Sequence, residues 1–265
     1  MLKRILRNKL RHEKIGALLA ELEREHGPID PRVMEEVRQE WPAPASNQAT
    51  LTVMKDAADP VRASYDSVAA AYVEHLYSEL ARKPLDRHLL NRFAEEVRER
   101  GTVGDLGCGP GHVTRYLRDQ GAQILGIDLS AEMVRWATQL NPDIEFRVGD
   151  IRALDLPDAS LAGIIAFYSV IHLEPSELAI AFREFQRVLT SNGLLFVAFH
   201  IGDHTLHLDE LWEQAVSLDF RFLLPGTVTA ALHAAGFLVI ESVEREPYEG
   251  VEYPSRRCYL IARAV

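Results

Sequence analysis

The chain has 265 residues and a formal net charge of -10, with 47% apolar and 26% charged side chains. That length and composition suit a globular protein of one large domain plus an appendage. The acidic balance opposes phosphate backbones, no apolar run reaches the eighteen or so residues of a membrane span, and the distant cysteines Cys108 and Cys258 supply neither a zinc cluster nor a disulfide framework.

In chain order, Leu2, Ile5, Leu6, Leu10, Ile15, Leu18, Leu19 and Leu22 recur at helical spacing. Gly27-Pro28 breaks that helix, and Pro31 starts a short second one carrying Val33, Val37 and Trp41. Residues 1–41 are expected to form a helical appendage or docking arm, with a dimerisation or partner-binding hairpin, such as a homodimer through these helices, as the alternative reading. Residues 42–59, aperiodic and rich in Pro, Ala, Ser, Asn and Gln, are expected to be a linker. The basic start, Met1 to Lys14, lacks the apolar core of a secretory signal, so a reducing cytoplasm is the expected compartment.

From residue 60 the pattern alternates. Helices are expected at Pro60–Leu80, Leu85–Arg100, His112–Gln120, Ala131–Leu140 and Pro175–Leu189, with Ser130 as an N-cap and Gly193 as a helix terminator. Strands are expected at Thr102–Leu106, Gln123–Ile127, Ile144–Val148, Gly163–Tyr168 and Leu194–Phe199. After Leu208–Ser217 and Gly226–Ala235, two closing strands, Phe237–Arg245 and Arg257–Arg263, are expected to pair antiparallel. The alternation predicts an α/β fold: a doubly wound, mostly parallel seven-stranded sheet with an antiparallel terminal hairpin.

Chemistry concentrates at strand ends. Asp105-Leu106-Gly107-Cys108-Gly109-Pro110-Gly111 lies where the first strand gives way to a helix, so glycines permit close backbone approach to a ligand at a helix N-terminus. It is not the dinucleotide fingerprint G-x-G-x-x-G, because His112 falls at the third glycine. Asp128 ends the second strand, about twenty residues on, where a carboxylate can accept hydrogen bonds from ribose hydroxyls. Asp150 follows the third strand. Three acids at successive strand ends converge on one crevice.

The stretch Val103 to Gly111 resembles motif I of the class I S-adenosylmethionine-dependent methyltransferases, and the similarity extends over roughly Tyr65 to Val265. The resemblance implies S-adenosylmethionine as cofactor, with S-adenosylhomocysteine as product. Asp105, Gly107, Gly109 and Gly111 would hold its methionine end, Asp128 its ribose hydroxyls, and Leu129 and Met133 would flank the adenine. It further implies that Asp150 accepts from the adenine amine, that the Ile151 N–H meets the ring, and that the Phe167 carbonyl meets the ammonium. A lid bearing Tyr65 and Tyr72, seven residues apart on one helix face, would fold over the cofactor; both tyrosines read equally well as core aromatics.

The expected reaction is in-line transfer of a methyl group to a small-molecule acceptor, with orientation and water exclusion as the protein's main contribution. The D/N-P-P-F/Y motif of enzymes that methylate nucleobase nitrogens is absent from Ala166-Phe167-Tyr168-Ser169, so neither nucleic acid nor membrane is an expected partner. Where the acceptor must lose a proton, His172 and His200 are the candidate catalytic bases because they follow the fourth and fifth strands; His204, His207 and Tyr168 are lesser candidates. The His- and Asp-rich stretch His200–His207 sits at the expected substrate loop, and its spacing supports no metal site. Two alternatives remain: a cofactor-binding regulatory protein without catalysis, and a nicotinamide-dependent oxidoreductase, which His112 disfavours.

Overall fold

The computed structural model describes residues 59–265; the expected appendage (1–41) and all but the last residue of the expected linker (42–59) lie outside the described residues. Helix α1 (Pro60–Leu76) begins at Asp59, whose Oδ1 accepts from the Val61 N–H at 3.0 Å, with Pro60 in the first turn. A short 3-10 turn, Glu79–Arg82, leads into α2 (Pro84–Val97), so the helix expected to run to Leu80 ends four residues earlier.

The alternating core follows as β1 (Val103–Leu106), α3 (His112–Asp119), β2 (Ile124–Asp128), α4 (Ala131–Leu140), β3 (Glu145–Val148), β4 (Leu161–Phe167), α5 (Pro175–Val188) and β5 (Leu189–His200). Then come β6 (Thr205–Leu211), β7 (Gln214–Arg221), α6 (Pro225–Ala234), β8 (Phe237–Arg245) and β9 (Arg257–Ala264). Ser130 caps α4 as expected, accepting from the Met133 N–H at 3.1 Å. Gly193 does not terminate a helix. The chain turns from Val188 directly into β5, and Gly193 lies within that strand after Asn192 (φ 62°).

The seven-stranded sheet has the order β3-β2-β1-β4-β5-β9-β8. Strands β1 to β5 pair in parallel, while β9 runs antiparallel to both β5 and β8. Strand order therefore reverses between β1 and β4, which opens a crevice beyond their carboxyl ends. One sheet face is covered by α5 and α6 through Leu178, Phe182, Phe185, Val228 and Leu232. The other is covered by α2 and α3 through Leu89, Leu90, Phe93, Val113 and Leu117. With both faces covered, β1, β2 and β4 are buried along their whole length, as continuous apolar runs require.

Strands β6 and β7 form a separate two-stranded antiparallel sheet, an insertion between β5 and α6. Its turn residues Trp212 (φ 50°) and Glu213 (φ 62°) both occupy the left-handed region, as a two-residue hairpin turn demands. The expected substrate loop at His200–His207 is thus only partly loop, since Thr205 already begins β6.

Candidate functional site

The glycine loop leaves β1 and enters α3. Gly107 has φ 76°, and a Cβ there would meet the Ser169 Cβ at 2.2 Å, so the loop presses against the end of β4. Gly109 has φ 53°, and a Cβ there would meet only the Tyr72 ring, at 3.9 Å. The first glycine is required by packing; the second keeps a cradle open beneath Tyr72.

Two buried carboxylates frame this loop. Asp128 accepts from the Gly109 N–H at 2.8 Å and from the Ser130 N–H at 2.9 Å, joining the end of β2 to the loop. Asp105 accepts from the Thr114 hydroxyl at 2.6 Å. Burial pushes each up to about 6; the donated hydrogen bonds oppose that rise, and neighbouring acids add to it. A ligand carrying an ammonium and hydroxyl donors matches this pair, since it supplies partners that favour the ionised form. The acceptor set therefore fits the cofactor that the resemblance implies.

Asp150 follows β3, and Arg152 takes up its carboxylate: the Arg152 N–H, Nε and Nη2 donate at 2.8, 2.9 and 2.7 Å. Arg152 also bonds Asp59 (3.3 Å) and Glu177, so it ties the start of α1 to the loop after β3 and to α5. Ile151 packs against the core, Leu129 is half-buried beyond Asp128, and Met133 is buried.

Tyr65 and Tyr72 share one face of α1, with ring centroids 6.2 Å apart. Tyr72 reaches the cradle at Gly109, and its ring meets the Trp212 ring edge-on at 5.8 Å. Tyr65 bonds His172 Nε2 at 2.8 Å. His172 Nδ1 lies 2.9 Å from the Asp219 carbonyl, so Nδ1 must carry the proton and Nε2 must accept from Tyr65. Burial holds His172 down to about 4. This imidazole, at the end of the 3-10 turn Val170–His172, links α1 to β7 with both nitrogens occupied.

His200 ends β5. Its Nδ1 lies 2.8 Å from the Ser255 hydroxyl, and its ring sits 5.0 Å from Tyr168 and 5.4 Å from Phe222. Burial, then the charges of Arg257 and Lys83, hold it down to about 3. Phe167, the last residue of β4, packs edge-on against Tyr168 at 4.9 Å, and Tyr168 itself takes φ 58°. These rings cluster beyond the carboxyl ends of β4 and β5.

Several residues here were not singled out from the sequence. Asp66 accepts from the Ser130 hydroxyl at 2.6 Å and from the Glu132 N–H at 3.2 Å, pinning α1 to the N-terminus of α4. Ser64 accepts from the Ser217 N–H at 2.9 Å, pinning α1 to the hairpin. Below Tyr168 lies a buried ionic cluster of Lys83, Asp86, Arg245, Glu252 and Arg257. Asp66 had a signal, an acid beside the expected lid tyrosine. The cluster had none, because its members are scattered along the chain.

Comparison with known proteins places these features in context. The family described as methyltransferase domain matches residues 103–193, the interval from β1 into β5. A malonyl-[acyl-carrier protein] O-methyltransferase of Pseudescherichia vulneris is 29% identical over 183 residues, 69% of this chain and 65% of that protein. A 2-methyl-6-phytyl-1,4-hydroquinone methyltransferase of Synechocystis sp. is 37% identical over 101 residues, 37% of this chain and 31% of that protein. The chain spans 58% to 65% of the length of the first three curated relatives it matches. A solved SAM-dependent methyltransferase of Methanosarcina mazei superposes with a TM-score of 0.57 at 16% identity, over 62% of this chain and 92% of that one, which speaks to the fold. The interval that carries the glycine loop and all three strand-end acids is the one that matches the methyltransferase domain, so over those residues the chain is similar to S-adenosylmethionine-dependent methyltransferases, whose fold it shares.

Proposed function

We propose that this protein transfers the methyl group of S-adenosylmethionine to an oxygen of a small-molecule acceptor. The observation that carries the reading is Asp128: a buried carboxylate at the end of β2 that accepts from the Gly109 N–H of the glycine cradle after the adjacent β1. In this reading Asp128 accepts from the ribose hydroxyls, Asp105 faces the ammonium, and Gly107, Gly109 and Gly111 admit the methionine portion. Leu129, Met133, Asp150 and Ile151 form the adenine side, and Phe167 offers its carbonyl. The bound cofactor supplies an activated methyl group on a sulfonium.

The chain's own work is to orient the acceptor and keep water out. Helix α1, fastened by Asp59, Ser64, Tyr65 and Asp66, serves as the lid, and Tyr72 closes on the glycine cradle. His172 is a positioning residue in this reading rather than a base, since both its nitrogens are engaged. An oxygen acceptor is supported by the O-methyltransferase name of a relative. A reducing cytoplasm is supported by two buried free cysteines, and a partner other than nucleic acid by the net charge of -10. Among the described residues no helix is long and apolar enough to cross a membrane.

Calorimetric titration with S-adenosylmethionine, S-adenosylhomocysteine and NAD tests the cofactor. Binding of both adenosyl compounds without NAD is the expected result. Binding of NAD alone would sink the reading in favour of an oxidoreductase. Label from a methyl-labelled donor appearing in a metabolite extract separates the enzyme from a regulatory binder, which would label nothing.

A further inference from the structure

We propose that His112 is a further cofactor-binding residue: its Nδ1 and the uncapped N-terminus of α3 together hold the carboxylate of the cofactor's amino-acid end. The proposal rests on the methyl-transfer reading above and deepens it, by giving that end an anion subsite beside the acids.

The first observation is an unused polar atom. His112 opens α3 straight after the glycine loop, and its side chain is 8% exposed. Its Nε2 lies 3.4 Å from Glu79 Oε1, while its buried Nδ1 has no hydrogen-bond partner among the described residues. A buried polar atom without a partner is destabilising, and a ligand that supplies one removes the penalty.

The second is what stands behind the ring. Burial favours the neutral form of Glu79, but the His112 hydrogen bond and the charge of Lys83, 2.7 Å away, outweigh it and hold the carboxyl down to about 2. An ionised carboxylate only accepts, so Nε2 carries a proton and points it at Glu79. Nδ1, the ring nitrogen next to the point of attachment, therefore stays beside the first turn of α3. Tyr72 of α1 and Tyr77 just after it flank the imidazole, with ring centroids 6.5 and 6.4 Å away.

The third is the helix end. His112 and Val113 lead α3, so their N–H groups have no intrahelical acceptor. The N-cap is Gly111 at φ 80°, which offers no side chain, and a Cβ there would meet Phe146 at 2.8 Å and Asn141 Nδ2 at 3.0 Å. A capping side chain is thus excluded by packing. The loop nevertheless keeps room: a Cβ on Gly109 would meet only the Tyr72 ring, at 3.9 Å.

Together these observations fix the sign of the ligand group. A donor could use Nδ1 of a neutral imidazole, but it would oppose the positive end of the helix. An acceptor serves both. A carboxylate takes the helix N–H groups and the Nδ1–H of an imidazolium whose Nε2–H remains on Glu79. An amino acid carries an ammonium as well, and Asp105 is near enough for the charge of His112 to act on it. An anion and a cation at opposite ends of one loop match the two charges of an amino acid.

The test is calorimetric titration of the full chain with S-adenosylhomocysteine, its decarboxylated counterpart, and methylthioadenosine, which lacks the amino-acid end altogether. The unaltered chain is expected to bind S-adenosylhomocysteine at least about tenfold more tightly than the decarboxylated compound, as a charge-assisted contact implies. In His112→Phe that preference is expected to shrink to about twofold or less, while affinity for the other two compounds stays within about twofold. His112→Gln, which retains an N–H donor, is expected to recover part of the preference. A loss shared equally by all three ligands would mean that His112 only shapes the loop, and would overturn the proposal. Equal affinity for S-adenosylhomocysteine and the decarboxylated compound in the unaltered chain would overturn it too, and that comparison needs no variant to fold. Failure of the unaltered chain to bind any of the three would remove the cofactor reading itself, and this proposal with it.

Discussion

Asp105 and Asp128 sit where burial opposes their charge and a ligand would restore it. Burial pushes both up to about 6, with Asp128 adding to the rise of Asp105 and Asp66 to that of Asp128. Because the folded carboxyls keep protons to higher pH than unfolded ones, they stabilise the ligand-free fold most below about pH 4, and that contribution disappears as pH rises through 6. In the proposed reading cofactor binding has the opposite dependence, since the ionised carboxylates would be the acceptors. Affinity for S-adenosylmethionine is expected to fall about tenfold between pH 7 and pH 5, and the melting-temperature gain on adding cofactor to shrink with it. A constant gain across that range would show that neither carboxylate titrates on binding. Asp128→Asn removes a charge-assisted acceptor worth roughly 1.5–3 kcal/mol, so calorimetry should find affinity at least about tenfold weaker. At this scale the sequence was most informative where chemistry lies close along the chain. The acid-glycine spacing of Asp105 to Gly111 and the strand-end position of Asp128 could be read directly. The engagement of Asp150 with Arg152 and the double bonding of His172 could not, because each depends on which way a side chain turns.

Among the elements, the inserted hairpin was the least legible. Leu208–Ser217 contains Asp209-Glu210-Leu211-Trp212-Glu213-Gln214, which carries no Asn-Gly or Asp-Gly turn signal. The turn nevertheless forms with two side-chain-bearing residues at positive φ, and Trp212 stacks on His75 of α1 with centroids 5.0 Å apart. Contact with α1 therefore offsets local strain. Glu213 is exposed at that turn, so Glu213→Gly should relieve strain and raise stability by up to about 1 kcal/mol, read as a higher denaturant midpoint at unchanged slope. A lower midpoint would mean that the turn is not strained. Tyr65→Phe acts in the opposite direction. It strips the partner from a buried imidazole nitrogen and should cost about 1–3 kcal/mol, seen in the same denaturation measurement. If stability holds in Tyr65→Phe, the His172 bridge between α1 and β7 carries no weight. By contrast, β1, β2, β4 and the Leu194–Phe199 part of β5 were legible because strands covered on both faces must be largely apolar, and these sequences are.

For the molecule as a whole, the strand order follows from a few rules acting on that pattern. Right-handed crossovers arrange β1 to β5, and the reversal between β1 and β4 puts the crevice at their carboxyl ends. The sequence predicted the parallel half and the antiparallel terminal pair, but not that β9 would insert between β5 and β8, which brings Arg257 opposite His200. That insertion assembles the ionic cluster from segments distant in the chain. It also bears on how much of the chain the site requires. Among the described residues, the contacts that fasten α1 run from Asp59 on Arg152 to Asp66 on Ser130. Among the described residues, the two clusters that cover the sheet draw on Leu80 and later residues. Removing residues 1–58 is therefore expected to leave a folded domain that binds S-adenosylmethionine within about threefold of the full chain and melts cooperatively, since fewer than about 0.7 kcal/mol separates such affinities. An aggregated or molten product would show that the N-terminal segment completes the fold, and a folded product with lost affinity would make it part of the cofactor site.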